Sequence, residues 1–378
     1  MRRTVLILPG LISLPGTDSF MGDRREAMAD LARMGDLSKV SPAPASETPE
    51  TMILGMSPDS VRLRQGPLTV SALGFDPPER STHFHLSPMS YVDGNILQPD
   101  VEWDAEEMRR LMVLAKRLDT KLLTILGGSG FDHALVWEAL GDLGTTSPTD
   151  VNGKSYRDHL PQGDGETVLK RLIDDSVNLL GELDINKRRV EDGLPPLNVL
   201  WPWGQGVRTP VPNLAIRRGE PASVESVSLR LAGLTRLAGY RHVDRAKVGQ
   251  LLKTQLRSIA DRCLSRQLSI IYLDVATDLR TNGMAEELDW FIREVDRELV
   301  RPLLSDLPRS SARLTLIAAS MEQVNADGPI PASAIGLAAA TETGMSGESF
   351  YPFDERSTLE RSIPTRDLWD LVQAGIEA

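Results

Sequence analysis

Short apolar runs alternate with longer amphipathic stretches along this chain. Four runs are apolar on both faces: Thr4 to Leu8 (TVLIL), Leu197 to Leu200 leading into Trp201, Leu268 to Val275 (LSIIYLDV) and Arg313 to Ala318 (RLTLIA). Runs of this kind predict strands covered by helices on both sides. Helical periodicity covers Glu225 to Ala238, Val243 to Arg266 and Met284 to Leu303. In the last of these, Leu288, Phe291, Val295 and Leu299 fall on one stripe. The alternation predicts an α/β fold with a largely parallel sheet flanked by helices.

Between Phe75 and about residue 183 the pattern changes. The stretch THFHLSPMSYVDG alternates like a half-exposed strand, with His83 and His85 two apart on its polar face. Ala105 to Leu118 is an amphipathic helix and LLTILGG another strand. A long loop rich in Gly, Pro, Thr and Asp follows, GTTSPTDVNGKSYRDHLPQGDGE. These elements form an α+β insertion whose two ends return to the α/β core.

With 378 residues, 41% of them hydrophobic and 25% charged, the chain can bury a large core and is expected to form two domains. A net charge of -11 argues against nucleic acid or an anionic membrane as a partner, since both need a basic field. The single cysteine, Cys263, leaves no internal disulfide framework and fits a cytoplasmic protein. Arg2 and Arg3 ahead of an apolar run look like the start of a secretory leader. Pro9-Gly10 breaks that run too early for a leader core, so it reads as a buried first strand.

Asp184 to Gly206, DINKRRVEDGLPPLNVLWPWGQG, resembles the segment that precedes and forms a central strand in archaeal-type 2,3-bisphosphoglycerate-independent phosphoglycerate mutases, metal-dependent enzymes of the alkaline phosphatase superfamily. Further segments are similar to that family in the same order. They are Leu73-Gly74-Phe75-Asp76-Pro77, the loop with Pro148, Asp150, Gly153-Lys154, Leu160-Pro161 and Gly163-Asp164-Gly165, then LAGLTRLAG from Leu231, LDVATD from Leu273 and EVDRELVRPLL from Glu294. The resemblance implies an alkaline-phosphatase-like core over 1–77 and 184–378, with TVLIL, LNVL, LSIIYLDV and RLTLIA in one sheet. It also implies an inserted lid over 78–183.

The resemblance further implies two divalent metals, manganese or zinc, that activate a serine nucleophile and clamp the phosphoryl group. Position by position, most of those parts are replaced. The ligand position at the end of the first strand is Pro9, which has no side-chain donor. The Ser-Asp pair of the nucleophile loop falls on Gln65-Gly66, and an alternative register puts Pro58-Asp59-Ser60 there instead. The family's Asp-x-x-x-His element reads Asp278 to Asn282, its Asp-His falls at Ser320-Met321, and its last His falls on Asn325. In the lid, an Arg-His pair that holds substrate reads Asp132-His133, and Lys154 of the lid loop is a further substrate-binding candidate. Amide and thioether side chains are poor ligands for a hard dication.

Two functional readings follow. In the first, the chain is a non-catalytic, phosphoglycerate-mutase-like protein that needs no cofactor and binds a protein partner or a small anionic ligand in the old cleft. In the second, it is a working mutase or related phosphotransferase that uses two divalent metals and Ser60. Structural roles stand beside each candidate: His133 as a solvated or hydrogen-bonded histidine, Asp278 as a helix cap, and Trp201 and Trp203 as packing. The Gly127 to Gly130 run lacks the lysine of a phosphate-binding loop.

Overall fold

The computed structural model of the protein describes residues 1–11, 26–34, 36–41, 49–54, 56, 64–99, 105–208, 210–214, 216, 222–242, 252–281, 283–309, 312–319, 336–342 and 365–377. The chain begins β1 (Arg2–Pro9), α1 (Glu26–Met34), β2 (Asp36–Ser41), α2 (Pro49–Ile53), α3 (Gln65–Ala72), β3 (Thr82–Val92), β4 (Asn95–Leu97) and α4 (Ala105–Ala115). It continues β5 (Leu123–Leu126), β6 (His133–Trp137), β7 (Leu143–Gly144), α5 (Pro148–Val151), β8 (Lys154–Ser155), β9 (Gln162–Gly163), α6 (Glu166–Gly181), α7 (Asp184–Glu191) and β10 (Val199–Gly206). Then come β11 (Ala222–Ser226), α8 (Leu229–Leu237), β12 (Arg241–His242), α9 (Leu252–Leu264), β13 (Leu268–Tyr272), α10 (Val275–Thr281) and α11 (Ala285–Glu294). Last are α12 (Arg301–Asp306), β14 (Ala312–Ala319), β15 (Gly336–Glu342), β16 (Thr365–Asp367) and α13 (Leu368–Glu377). Among the described residues no helix is long and apolar enough to cross a membrane.

The chain divides into two compact units, Met1–Ser60 with Pro212–Ala378, and Val61–Val211. The first holds an eight-stranded sheet in the order β12-β11-β13-β1-β14-β15-β2-β16. Strand β1 lies between two parallel neighbours, with Val5 opposite Ile270 on one side and Thr315 on the other. Both of its faces are apolar because both are covered, as a parallel sheet requires. On one face Leu6, Leu8, Ile271 and Leu316 pack with Leu31 of α1, Ile259 of α9 and Phe291 of α11 in a single buried cluster.

The second unit is built on β3, which is long enough to pair three ways. It meets β6 over Thr82 to Leu86, β10 over His83 to Met89 and β4 over Ser90 to Val92, always antiparallel. Helix α6 buries Leu169, Leu172, Ile173, Ser176 and Leu180, the stripe expected of an amphipathic helix. Asn186 of α7 joins α6 to β10. Its amide nitrogen donates to the carbonyls of Leu180 and Leu197, each at 2.7 Å, and its oxygen accepts from the Leu197 N–H at 2.9 Å.

Several sequence expectations change. The LNVL run belongs to the β3 sheet and not to the sheet of β1, so α3 and β10 both fall in the second unit. Apolar periodicity identifies a strand without identifying its neighbour. The helix expected from Glu225 starts only at Leu229, capped by the Ser228 hydroxyl, and Glu225 stands in β11. A charged residue is tolerated in that buried strand because Arg262 grips both of its oxygens at 2.9 Å. Residues 243–251 of the next expected helix lie outside the described ones. LSIIYLDV stops as a strand at Tyr272, and Val275 opens α10.

The stripe Leu288, Phe291, Val295, Leu299 is buried as expected, but Val295–Val300 is a π-helical turn between α11 and α12. That turn carries Asp296, whose carboxylate accepts the N–H groups of Ala27 at 3.1 Å and Met28 at 2.8 Å, so it caps the start of α1 from another helix. Replacing Asp296 with alanine leaves two buried amides unpaired. The expected loss is about 2 kcal/mol of unfolding free energy, readable as a lower urea midpoint, and an unchanged midpoint would count against the trans cap.

Candidate functional site

In open α/β sheets ligands bind beyond the carboxyl ends of the parallel strands, where loops lead into helix starts. In the first unit that edge is formed by the ends of β1 and β13. Strand β1 ends at Pro9, which is buried and pairs with Ala319. Gly10 follows at φ 74, and a Cβ there would come within 2.4 Å of the Thr277 backbone nitrogen. Only glycine fits the backbone angle and the close approach together.

After β13, the Asp274 carbonyl accepts the N–H of Thr277 at 3.0 Å and of Asp278 at 3.4 Å, and α10 begins. Asp278 lies exposed in the first turn of this helix, where its charge faces the positive helix end. Partial burial nonetheless raises its pKa. Two residues on, Arg280 turns back to the end of β1. Its Nε donates to the Gly10 carbonyl and its Nη2 to the Leu11 carbonyl at 3.3 Å.

The residues described at this edge do not suit a pair of dications. Pro9 offers no donor, Arg280 brings a fixed positive charge to the end of β1, and among the described residues no group of three or more His, Cys, Asp or Glu side chains is placed to hold a metal ion. Asn282, Met321 and Asn325, together with Ser60 and Asp59, lie outside the described residues. Tyr272, at the end of β13, is buried near Asp274, Glu50 and Asp278. Burial and then those carboxylates push its hydroxyl pKa well up, so it stays protonated.

Gln65 opens α3 in the second unit. That helix packs so tightly on β3 that a Cβ at Gly66 would lie 2.2 Å from the His83 carbonyl oxygen. Beneath it run His83 and His85, which are 2% and 5% exposed. The expectation of a half-exposed polar strand face is therefore corrected: α3 covers it. His85 Nδ1 is 2.9 Å from the Thr69 hydroxyl, and its ring lies 5.0 Å from that of Trp203, whose indole N–H donates to Ser87.

The two candidates for holding substrate are not brought together. His133 starts β6, is fully buried, and accepts the Gly128 N–H at 3.0 Å through Nδ1. Lys154 is exposed in β8, with β3 and β4 between the two strands. The sequence reading missed Arg280 and the Thr69–His85 contact. A basic residue inside the Asp278 to Asn282 element was the available signal for the first. The second had none, since nothing local tells that α3 covers β3.

No family model matches the chain. Named relatives cover it from end to end. It is 25% identical to the 2,3-bisphosphoglycerate-independent phosphoglycerate mutase of Methanothrix thermoacetophila, over 99% of this chain and 100% of that one. The enzyme of the same name from Methanosarcina barkeri is 24% identical over all of both chains. This chain is similar along its whole length to 2,3-bisphosphoglycerate-independent phosphoglycerate mutases. Solved structures agree on the alkaline-phosphatase-like fold. The PH0037 protein from Pyrococcus horikoshii aligns with TM-score 0.71 at 14% identity, covering 100% of this chain and 97% of its own. The cofactor-independent phosphoglycerate mutase from Thermoplasma acidophilum aligns with TM-score 0.61 at 19% identity, covering 99% and 98%.

The tight turn at the end of β1 tests this description of the edge. Alanine at Gly10 must accept a positive φ and push Thr277 aside, which costs at least about 2 kcal/mol. The Gly10→Ala protein should melt clearly lower than the parent. A melting temperature within error of the parent would mean that the turn is not built this way.

Proposed function

We propose that this protein has kept the mutase fold and lost the metal-dependent mutase reaction, and that it serves by binding a protein partner or a small anionic ligand. The observation that carries this reading is Arg280. Its guanidinium is bonded to the carbonyls of Gly10 and Leu11, beside Pro9, at the strand end where the resemblance calls for a carboxylate and a dication. A permanently charged group there repels a metal ion. Gln65, at the position matched to the nucleophile, carries an amide that cannot attack phosphorus. In this reading residues 78–183 descend from the family's lid, and the single cysteine is consistent with a cytoplasmic setting.

Nucleophile, metals and phosphate-holding arginine act as a unit, and such units lose nearly all of their rate when one member goes. A coupled assay for conversion of 3-phosphoglycerate to 2-phosphoglycerate, run with manganese or zinc, should stay at background for this chain and for Gln65→Ser or Pro9→Asp. Elemental analysis after dialysis should find less than one transition metal per chain. Measurable turnover that Ser60→Ala abolishes would overturn the proposal and establish the alternative register, with a working metal-dependent site.

A further inference from the structure

Strand β5 ends the row of strands in the second unit's main sheet, and its sequence is of the kind an open edge tolerates least. Residues 122–126 read Leu-Leu-Thr-Ile-Leu, β-prone, uncharged and without proline. Leu122 is 50% exposed. With bare backbone groups, such a run is a template for a similar strand on another molecule.

The register decides which backbone groups face outward. Leu123 stands opposite Trp137 and Ile125 opposite Leu135, while the Glu138 N–H donates to the Leu122 carbonyl at 2.8 Å. Bonding positions alternate along an antiparallel pair, so Leu122, Thr124 and Leu126 bond towards β6. Leu123 and Ile125 turn their N–H and C=O groups to the open side.

Both outward N–H groups are occupied. After α4 a short 3-10 turn, Lys116–Leu118, leads the chain back so that Asp119 and Thr120 run alongside β5. The Leu123 N–H donates to the Thr120 hydroxyl at 3.0 Å, and the Leu123 carbonyl accepts the Thr120 N–H at 2.9 Å. The Ile125 N–H donates to Asp119 Oδ1 at 2.7 Å. Two residues thus stand in for a neighbouring strand.

The free side of β10 is closed by other means. Its Leu200 N–H donates to the Ser176 hydroxyl of α6 at 3.0 Å, and its next outward position is Pro202, which has no N–H to offer. There a helix and a proline close the edge. At β5 the closing residues, Asp119 and Thr120, are themselves exposed.

We infer that Asp119 and Thr120 form an edge guard that keeps β5 from pairing with β5 of a second copy of this chain. Self-pairing about a two-fold axis would set Leu123 of one copy opposite Ile125 of the other, through the same N–H groups that the guard holds. No charge lies inside either run to oppose it; Lys121 flanks the run at one end only. Asp119 carries the larger share of the guard, because a hydrogen bond to a carboxylate is stronger than one to a neutral hydroxyl.

Sedimentation velocity of the full chain over a concentration series reads the outcome. Asp119→Ala combined with Thr120→Val should tighten self-association by at least about tenfold over the parent. Asp119→Asn, whose amide oxygen still accepts, should match the parent. So should Leu172→Ala, which removes a buried side chain of α6 from the same unit without touching β5, and which separates an opened edge from a loosened core. If the double variant does not fold, hydrogen exchange decides: the Leu123 and Ile125 amides should be protected in the parent, and Asp119→Ala alone should release Ile125 in dilute solution while Leu123 stays protected. The guard would be overturned by parent amides at these positions that exchange like an open chain, or by a double variant that associates no more than the parent. Association of Asp119→Asn or Leu172→Ala as strong as that of the double variant would overturn it equally.

Discussion

Parallel pairing of β1 on both sides is the constraint from which the first unit follows. A strand held between β13 and β14 must be apolar on both faces, must be covered by helices on both, and must deliver its last residues to an edge shared with the end of β13. That places Pro9 and Gly10 against the start of α10, close enough for Thr277 to touch Gly10 and for Arg280 to reach the carbonyls beyond. The chemistry available at that edge is set by a handful of residues on rigid elements, among them a proline without a side-chain donor and an arginine whose guanidinium is bonded to backbone carbonyls.

Polar burial in the second unit follows a different logic. Strand β3 carries Ser81 just before it and His83, His85 and Ser87 along it, and each has a partner one contact away: Pro78, Ser81, Thr69 or Trp203. Such a chain of hydrogen bonds specifies one register for β3, α3 and β10, because a slip of one residue would bury those groups unpaired. Specificity is obtained here with buried, hydrogen-bonded imidazoles.

How much of this was legible in the sequence depends on whether the deciding contact is local. TVLIL, LSIIY and RLTLIA were readable as covered strands because both-face apolarity is written into five or six consecutive residues. The stripe from Leu288 to Leu299 was readable for the same reason, although the π-helical turn inside it was not. LNVL was readable as a strand but assigned to the wrong sheet, since its partner β3 lies more than a hundred residues away. Glu225 was misread as helical because its burial depends on Arg262 of α9. At the candidate site, Pro9 and Gln65 could be singled out by resemblance. Arg280 acquires meaning only when the end of β1 and the first turns of α10 are side by side.

The guanidinium at the end of β1 differs from a bound ion in one respect that reaches beyond the site. A metal has a dissociation constant, and its occupancy follows supply, competition and chelation in the surroundings. A charge carried on the chain has none of these, because its local concentration is fixed by the helix α10 that follows β13. The end of β1 and the first turns of α10 are therefore tied together by a charge that folding alone puts in place.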